Sequence, residues 1–388
     1  MNHRGVLRET RGDADASHDT CSHERKSRVW RFIALSAIAV MVLGAVFMVL
    51  YEPEEPERTV GPVTVTGGLV CDEIEVDEEG VRYVGEGTAV WHYVDTTLPY
   101  LEKVNGQYQE RGIKVFSGND PTIPVGKYKV RLMVDGNDFC YGRLTVDGPI
   151  TKTYEWNYIT DEGSHHIRFD YGYELSDYLH YRGMNTARHA SNVDSNSRFV
   201  AVDDCTEDLC RCLREAYLEE FGQDAASKPQ FYADYLLSFV QCCFTYPDKT
   251  SQVGDGYAYD PFGGSADLTL TGKDEYWAYP METIHMGMGD CEDTSILMSA
   301  IFSQSGYDSA LVVIPNHMLV GVELMRFDMR ENHPIGTDLA CKKVEGHAPN
   351  LYFCETTYDI YSPVGYIGLS EREAVMSVQK VTMVPAAD

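Results

Sequence analysis

The chain has 388 residues, enough for two or three domains, and 44% hydrophobic content with 26 tyrosines supplies globular cores and argues against global disorder. Net charge is −28, and residues 1–31 carry seven Lys/Arg against five Asp/Glu, which leaves −30 on the remainder. Such a surface repels nucleic-acid phosphates and speaks against a nucleic-acid partner; most of it is expected to be a solvated acidic exterior.

Residues 1–29 are polar and mixed in charge, with no hydrophobic period, and read as a cytoplasmic tail. A membrane helix is expected over 30–51. Its core, Phe32 to Tyr51, is twenty positions without a charge, long enough to span a bilayer. Arg25, Lys26, Arg28 and Arg31 precede it, while Glu52, Glu54, Glu55 and Glu57 follow with Pro53 and Pro56. The basic flank stays inside, so residues 52–388 are expected to face outward. A cleaved signal peptide would have a shorter apolar core and a small-residue cleavage pattern, neither of which is present. Residues 52–60 form a stiff Glu/Pro stalk.

Residues 61–175 read as β. Short runs at 63–66, 80–84 and 88–94 are strand-like, and 127–134 alternates before Asp135-Gly136 turns the chain. The pattern continues at 141–146, 151–158 and 165–171, which predicts an antiparallel β-sandwich. His165 and His166 are adjacent on a strand and point to opposite faces, so they do not make a metal pair. Residues 176–202 are polar and irregular and read as a linker. From 203 to 388 an α+β domain is expected. Leu209, Leu213, Tyr217 and Phe221 share one helical stripe, and Pro229 opens a second helix through Cys243. Residues 247–273 carry no secondary-structure period and read as a long loop, in place to act as a lid.

Gly287-Met288-Gly289-Asp290-Cys291-Glu292-Asp293 leads into a third helix, with Ile296, Leu297, Ala300 and Ile301 on one face and Gly306 as its stop. Cys291 therefore stands where free N–H groups and the positive dipole end favour a thiolate. Strands are expected at 307–315, 318–324 with His317 at its head, and 351–356.

This order of residues resembles the transglutaminase-like cysteine peptidase superfamily in its microbial form. Tyr276-Trp277-Ala278-Tyr279-Pro280 with Glu282, the Gly-Asp-Cys-Glu-Asp stretch, Asn316-His317-Met318 and Glu355-Thr356-Thr357 carry the likeness, over roughly residues 203–370. The resemblance implies a papain-like α+β fold and a Cys-His-Asp triad that cleaves or exchanges amides through a thioester. By position, Cys291 is the nucleophile and His317 the general base and acid. Glu355 stands where an aspartate is commoner, with Asp359 as a fallback. The N–H of Cys291 and the side chains of Trp277 and Tyr279 are the oxyanion or cleft candidates. Asp290 and Asp293 are expected to cap or support the helix.

Carboxylates at 290, 292 and 293 oppose a thiolate, and the dipole supplies only about half a charge, so His317 is expected to decide the ionisation of Cys291. No cofactor is implied. Cys205, Cys210, Cys212, Cys242 and Cys243 lack zinc spacing and suggest one or two disulfides instead. Cys341 with His333 and His347 matches no compact metal motif, and His285 reads as a loop or groove wall. The whole reads as a membrane-anchored hydrolase or acyl transferase acting on peptide or isopeptide bonds, with a peptide or protein substrate at the cell surface. The alternative is an inactive transglutaminase-like module that binds a surface partner.

Overall fold

A computed structural model describes residues 57–387 apart from 61–62, 78–79, 105–106, 189–195, 223, 248–249, 254–255, 260–265, 274, 330–338, 358–360 and 368–377. The expected tail, the expected membrane helix and most of the stalk lie outside the described residues. Among those described, no helix is long and apolar enough to cross a membrane. The described chain is α+β, with antiparallel sheets.

The first ten strands are β1 (Glu57–Val60), β2 (Val63–Thr66), β3 (Ile74–Asp77), β4 (Gly80–Tyr83), β5 (Ala89–Asp95), β6 (Leu101–Val104), β7 (Gln107–Glu110), β8 (Lys114–Ser117), β9 (Gly126–Val134) and β10 (Asn137–Val146). Six make one antiparallel sheet in the order β1-β2-β10-β9-β5-β8. Strand β9 shows why the sheet has one wet face. Tyr128, Val130 and Leu132 are buried, while Lys127, Lys129 and Arg131 between them are exposed. Asp135 and Gly136 both take positive φ, 50° and 78°, as a two-residue type I′ hairpin requires. The buried face is covered by the β3–β4 hairpin, whose Ile74, Val81 and Tyr83 join Val63, Val65, Trp91 and Leu132 in one core. The expected two-sheet sandwich is therefore a single sheet capped by a hairpin, because β6 and β7 pair with each other as a separate two-stranded hairpin and no second layer is built among the described residues.

The last two strands inside the expected 61–175 β region do not join the six-stranded sheet. Among the described residues, strands β11 (Pro149–Thr160) and β12 (Gly163–Glu174) pair only with each other, as one long hairpin. Its inward residues Tyr154, Trp156, Tyr158, Ile167 and Tyr171 are buried in the core of the following helices. The Trp156 indole N–H donates to Ser238 Oγ at 3.0 Å. Alternation along a strand announces a half-buried face but not which partner covers it. The linker expected at 176–202 begins instead with helix α1 (Leu175–Gly183), fastened by Asp177 accepting from the Glu174 N–H at 2.9 Å. It buries only Leu175 and Tyr178, too few contacts to leave a period in the sequence.

Helix α2 (Asp204–Phe221) is capped by Asp203, which accepts from the Thr206 N–H. Helix α3 (Pro229–Cys243) has Pro at its first turn. The stretch expected to be featureless at 247–273 contains β13 (Thr250–Val253), β14 (Gly256–Tyr259) and α4 (Ala266–Thr271). Then come α5 (Pro280–Met286), α6 (Cys291–Gln304), β15 (Ser309–Ile314), β16 (His317–Leu324), β17 (Cys341–Lys343), β18 (Asn350–Cys354) and β19 (Lys380–Val384). The last five strands form an antiparallel sheet in the order β17-β18-β16-β15-β19.

Helix α6 packs on this sheet and against α3. Ile296, Leu297, Ile301 and Phe302 are fully buried, each contributing about 1.5–3 kcal/mol relative to exposure. Because α6 is buried nearly all round, its serines and Asp293 included, it is an interior helix. The ten described cysteines, Cys205, Cys210, Cys212, Cys242 and Cys243 among them, are all free thiols in this structure, so none of the expected disulfides is formed here. The Cys210 thiol points instead at the Ile301 carbonyl, at 3.7 Å.

Candidate active site

Cys291 is the first residue of α6. Asp290 caps the helix, its side chain accepting from the N–H groups of Glu292 and Asp293 at 3.1 and 3.3 Å. Two polar contacts then set the first turn against the sheet. Ser295 Oγ donates to the Met318 carbonyl at 3.2 Å, and Thr294 Oγ1 meets Thr356 Oγ1 at 2.8 Å. They bring the thiol to the start of β16, where it receives a hydrogen bond from the Met318 backbone, one residue past His317.

A tight hairpin places His317. Strand β15 ends at Ile314, which pairs with His317 across Pro315-Asn316. Asn316 has φ 59°, and proline followed by a left-handed residue fits a type II turn. The sheet register brings in Glu355. Val320 is opposite Cys354, so the next pair along is Leu319 with Glu355, and His317 lies diagonally on the same face. His317 Nε2 is 2.8 Å from Glu355 Oε2. The other oxygen, Oε1, accepts from the Thr356 N–H at 2.9 Å, the Thr357 N–H at 2.9 Å and the Thr357 hydroxyl at 2.7 Å. Burial pushes the Glu355 carboxyl up, but the hydrogen bond and charge of His317, with the Thr357 donors, outweigh it and hold it below its ordinary value.

Cys291 is 8% exposed, and its thiol donates to Glu292 Oε2 at 2.8 Å. Burial, then the charges of Glu292 and Asp290, push the thiol far above its ordinary value, with only the Met318 hydrogen bond acting in the other direction. The opposition between neighbouring carboxylates and helix dipole is thus resolved toward a neutral thiol.

Asp293 does not complete a cap of its own helix. It is buried, and its Oδ1 accepts from the Ala278 N–H at 2.7 Å. That bond fixes the segment carrying the two aromatic candidates. Trp277 and Tyr279 share an apolar cluster with Cys291 and Met318. The Trp277 indole N–H is engaged by Glu275 at 3.0 Å, so Trp277 contributes a wall rather than an oxyanion donor. The Tyr279 ring packs on Tyr181 and Phe199 at 4.9 and 5.1 Å.

Two features were not foreseen. Arg188, inside the expected linker, is buried and donates to Glu282 at 2.5 Å and to the Trp277 carbonyl at 3.1 Å, while its guanidinium stacks over Tyr279 at 4.6 Å. It locks the aromatic segment against α1. Asp267, on α4, joins Asp290 and Asp293 in a cluster whose carboxylate oxygens lie within 4.8 Å of one another, a spacing fit for a cation or for shared protons. Burial first, then neighbouring carboxylates, push Asp290 and Asp293 up, and burial pushes Asp267 up to about 7. Neither residue bears a sequence motif that could have pointed to it.

His285 is not a groove wall. It is buried on α5, stacked on Tyr178 at 3.9 Å, with Nδ1 3.0 Å from the Tyr173 hydroxyl. His165 pairs with Glu220 at 2.8 Å, and His166 lies near Glu155 at 3.5 Å. His347 pairs with Glu323 at 2.8 Å and Cys341 is exposed, while His333 and Asp359 lie outside the described residues.

No protein-family model, no curated protein and no solved structure matches the chain.

Proposed function

We propose that this chain is a membrane-anchored thiol hydrolase or acyl transferase with a transglutaminase-like catalytic domain facing outward, acting on peptide or isopeptide amides of a protein or peptide substrate. The observation that carries the reading is the 2.8 Å bond from His317 Nε2 to buried Glu355, beside a thiol held against the Met318 backbone. With Nε2–H donated to the carboxylate, Nδ1 is the ring atom that takes the thiol proton. The Cys291 sulfur attacks the amide carbon, and the imidazolium returns the proton to the leaving amine. Glu355 holds the ring and stabilises its cation. Water or a second amine then resolves the thioester, with His317 again moving the proton. The Cys291 N–H, at the open end of α6, is the oxyanion donor.

A second reading, an inactive binding module, is favoured by one observation: the thiol is nearly buried and bonded to Glu292 rather than poised as a thiolate. Reaction of the purified protein with a peptide library, with and without added amine, decides. Products absent from a Cys291→Ala blank support the enzyme, and amine-dependent products identify transfer. Equal product profiles for parent and Cys291→Ala support the binding module.

A further inference from the structure

The covering hairpin of the N-terminal sheet is attached at one corner by an unusually close backbone approach. The chain leaving β2 crosses β10 through Gly67–Leu69, a short 3-10 turn. A side-chain carbon built on Gly142 would lie 2.5 Å from the Leu69 nitrogen, and one on Gly68 would lie 2.2 Å from the Tyr141 carbonyl oxygen. Only glycine permits that contact at either position. Cys71 follows two residues after Leu69, and its carbonyl accepts from the Ile74 N–H at 3.1 Å, at the entry to β3. Cys140 precedes Gly142 by two residues, next to an irregularity in the β9–β10 register between Asp138 and Cys140. Such a bulge re-aims the side chains beside it. Both cysteines are half-buried against the same core, beside Leu69 and Ile74, and their thiols share a hydrogen bond.

We propose that Cys71 and Cys140 are the redox-active pair of the N-terminal domain and are joined as a disulfide in the exported protein, stapling the β3–β4 hairpin to the six-stranded sheet. The proposal rests on the outward placement of residues 52–388, since such bonds persist in oxidising compartments. The reaction is an exchange with the disulfide of a thiol oxidoreductase. Two S–H bonds and the donor S–S bond break, and one S–S bond forms here. Two protons and two electrons pass to the donor, which leaves as a dithiol. The small core gives the bond its value. The hairpin layer is two short strands, and a cross-link closing the long loop between residues 71 and 140 restricts the unfolded chain.

The test is thiol mapping of the full chain, isolated from membranes without reductant and alkylated under denaturing conditions. The expected result is a peptide joining Cys71 to Cys140, with neither thiol alkylated in the parent and Cys140 alkylated in Cys71→Ser. A reductant should lower the melting temperature of the parent by about 5–10 °C and leave a Cys71→Ser/Cys140→Ser variant unmoved. Full alkylation of both thiols, or a bridge from either to another cysteine, would overturn the proposal. Treating reduced protein with oxidised glutathione separates the two premises. A bridge that forms there but is absent from the isolated chain contradicts the outward placement, and a bridge in neither contradicts the pairing.

Discussion

The Cys291 thiol donates to the carboxylate of its own neighbour, Glu292, at 2.8 Å. The nucleophile of the proposed reaction therefore rests as a neutral thiol, and Glu292 is the adjacent charge that keeps it so. Replacing Glu292 with glutamine removes a charge and keeps the shape. Alkylation of Cys291 by iodoacetamide at pH 7–8 should become about tenfold faster, one pKa unit of relief. An unchanged rate against pH would mean that burial and Asp290 set the thiol without Glu292.

Glu355 predicts a different signature. Glu355→Gln can still accept from the Thr356 and Thr357 donors, but it cannot stabilise an imidazolium or select the ring tautomer. Turnover should fall by about 10²–10⁴-fold with little change in substrate KM, and Glu355→Asp should recover part of it. A Gln variant with parental turnover would remove Glu355 from the mechanism.

Much of this arrangement was legible in the sequence because it depends on local signals. The Gly-Asp lead-in, the apolar face of α6 and the histidine at the head of a strand are each contained in a few residues, and helices α2, α3 and α6 with strands β15, β16 and β18 follow from simple periods, whereas β13, β14, α4, α5, β17 and β19 are too short to leave one. Arg188 and Asp267 were invisible for the opposite reason. Each works through partners tens of residues away, Arg188 on Glu282 and Asp267 beside Asp290 and Asp293, and neither leaves a period or a spacing. The 149–174 hairpin was read as strands, but its packing against α3 was not legible, since Trp156 meets Ser238 only through tertiary packing.

Arg188 should matter for stability before it matters for chemistry. It is buried, and its removal leaves Glu282 with Arg182 at 3.5 Å as its remaining cation. Arg188→Met is expected to cost about 3–5 kcal/mol in denaturant unfolding. Because Trp277 and Tyr279 lose their anchor, the cleft beside Cys291 should loosen, seen as increased hydrogen exchange across 276–282. A loss under about 1 kcal/mol would show that Arg188 is peripheral.

His285 gives a pH dependence with a definite sign. Burial, with the charges of Lys152 and Arg182, holds its pKa down to about 4, against an ordinary value near 6.5. The unfolded chain binds a proton below 6.5 that the folded chain refuses until about 4. Stability is therefore complete above pH 6.5 and lost as pH falls toward 4, by up to about 3 kcal/mol. His285→Gln should flatten this part of the profile, whatever its own net stability. A parallel profile in parent and variant would assign the dependence to other groups.

The most direct test of the proposed mechanism is covalent labelling of the purified protein by an electrophilic peptide-amide analogue, read by peptide mapping across pH 6–9. The account predicts a single adduct on Cys291, formed at least about tenfold more slowly in His317→Ala, while a denatured control shows no such difference. Labelling of Cys291 at the same rate with and without His317, or adducts spread over other cysteines, would contradict it.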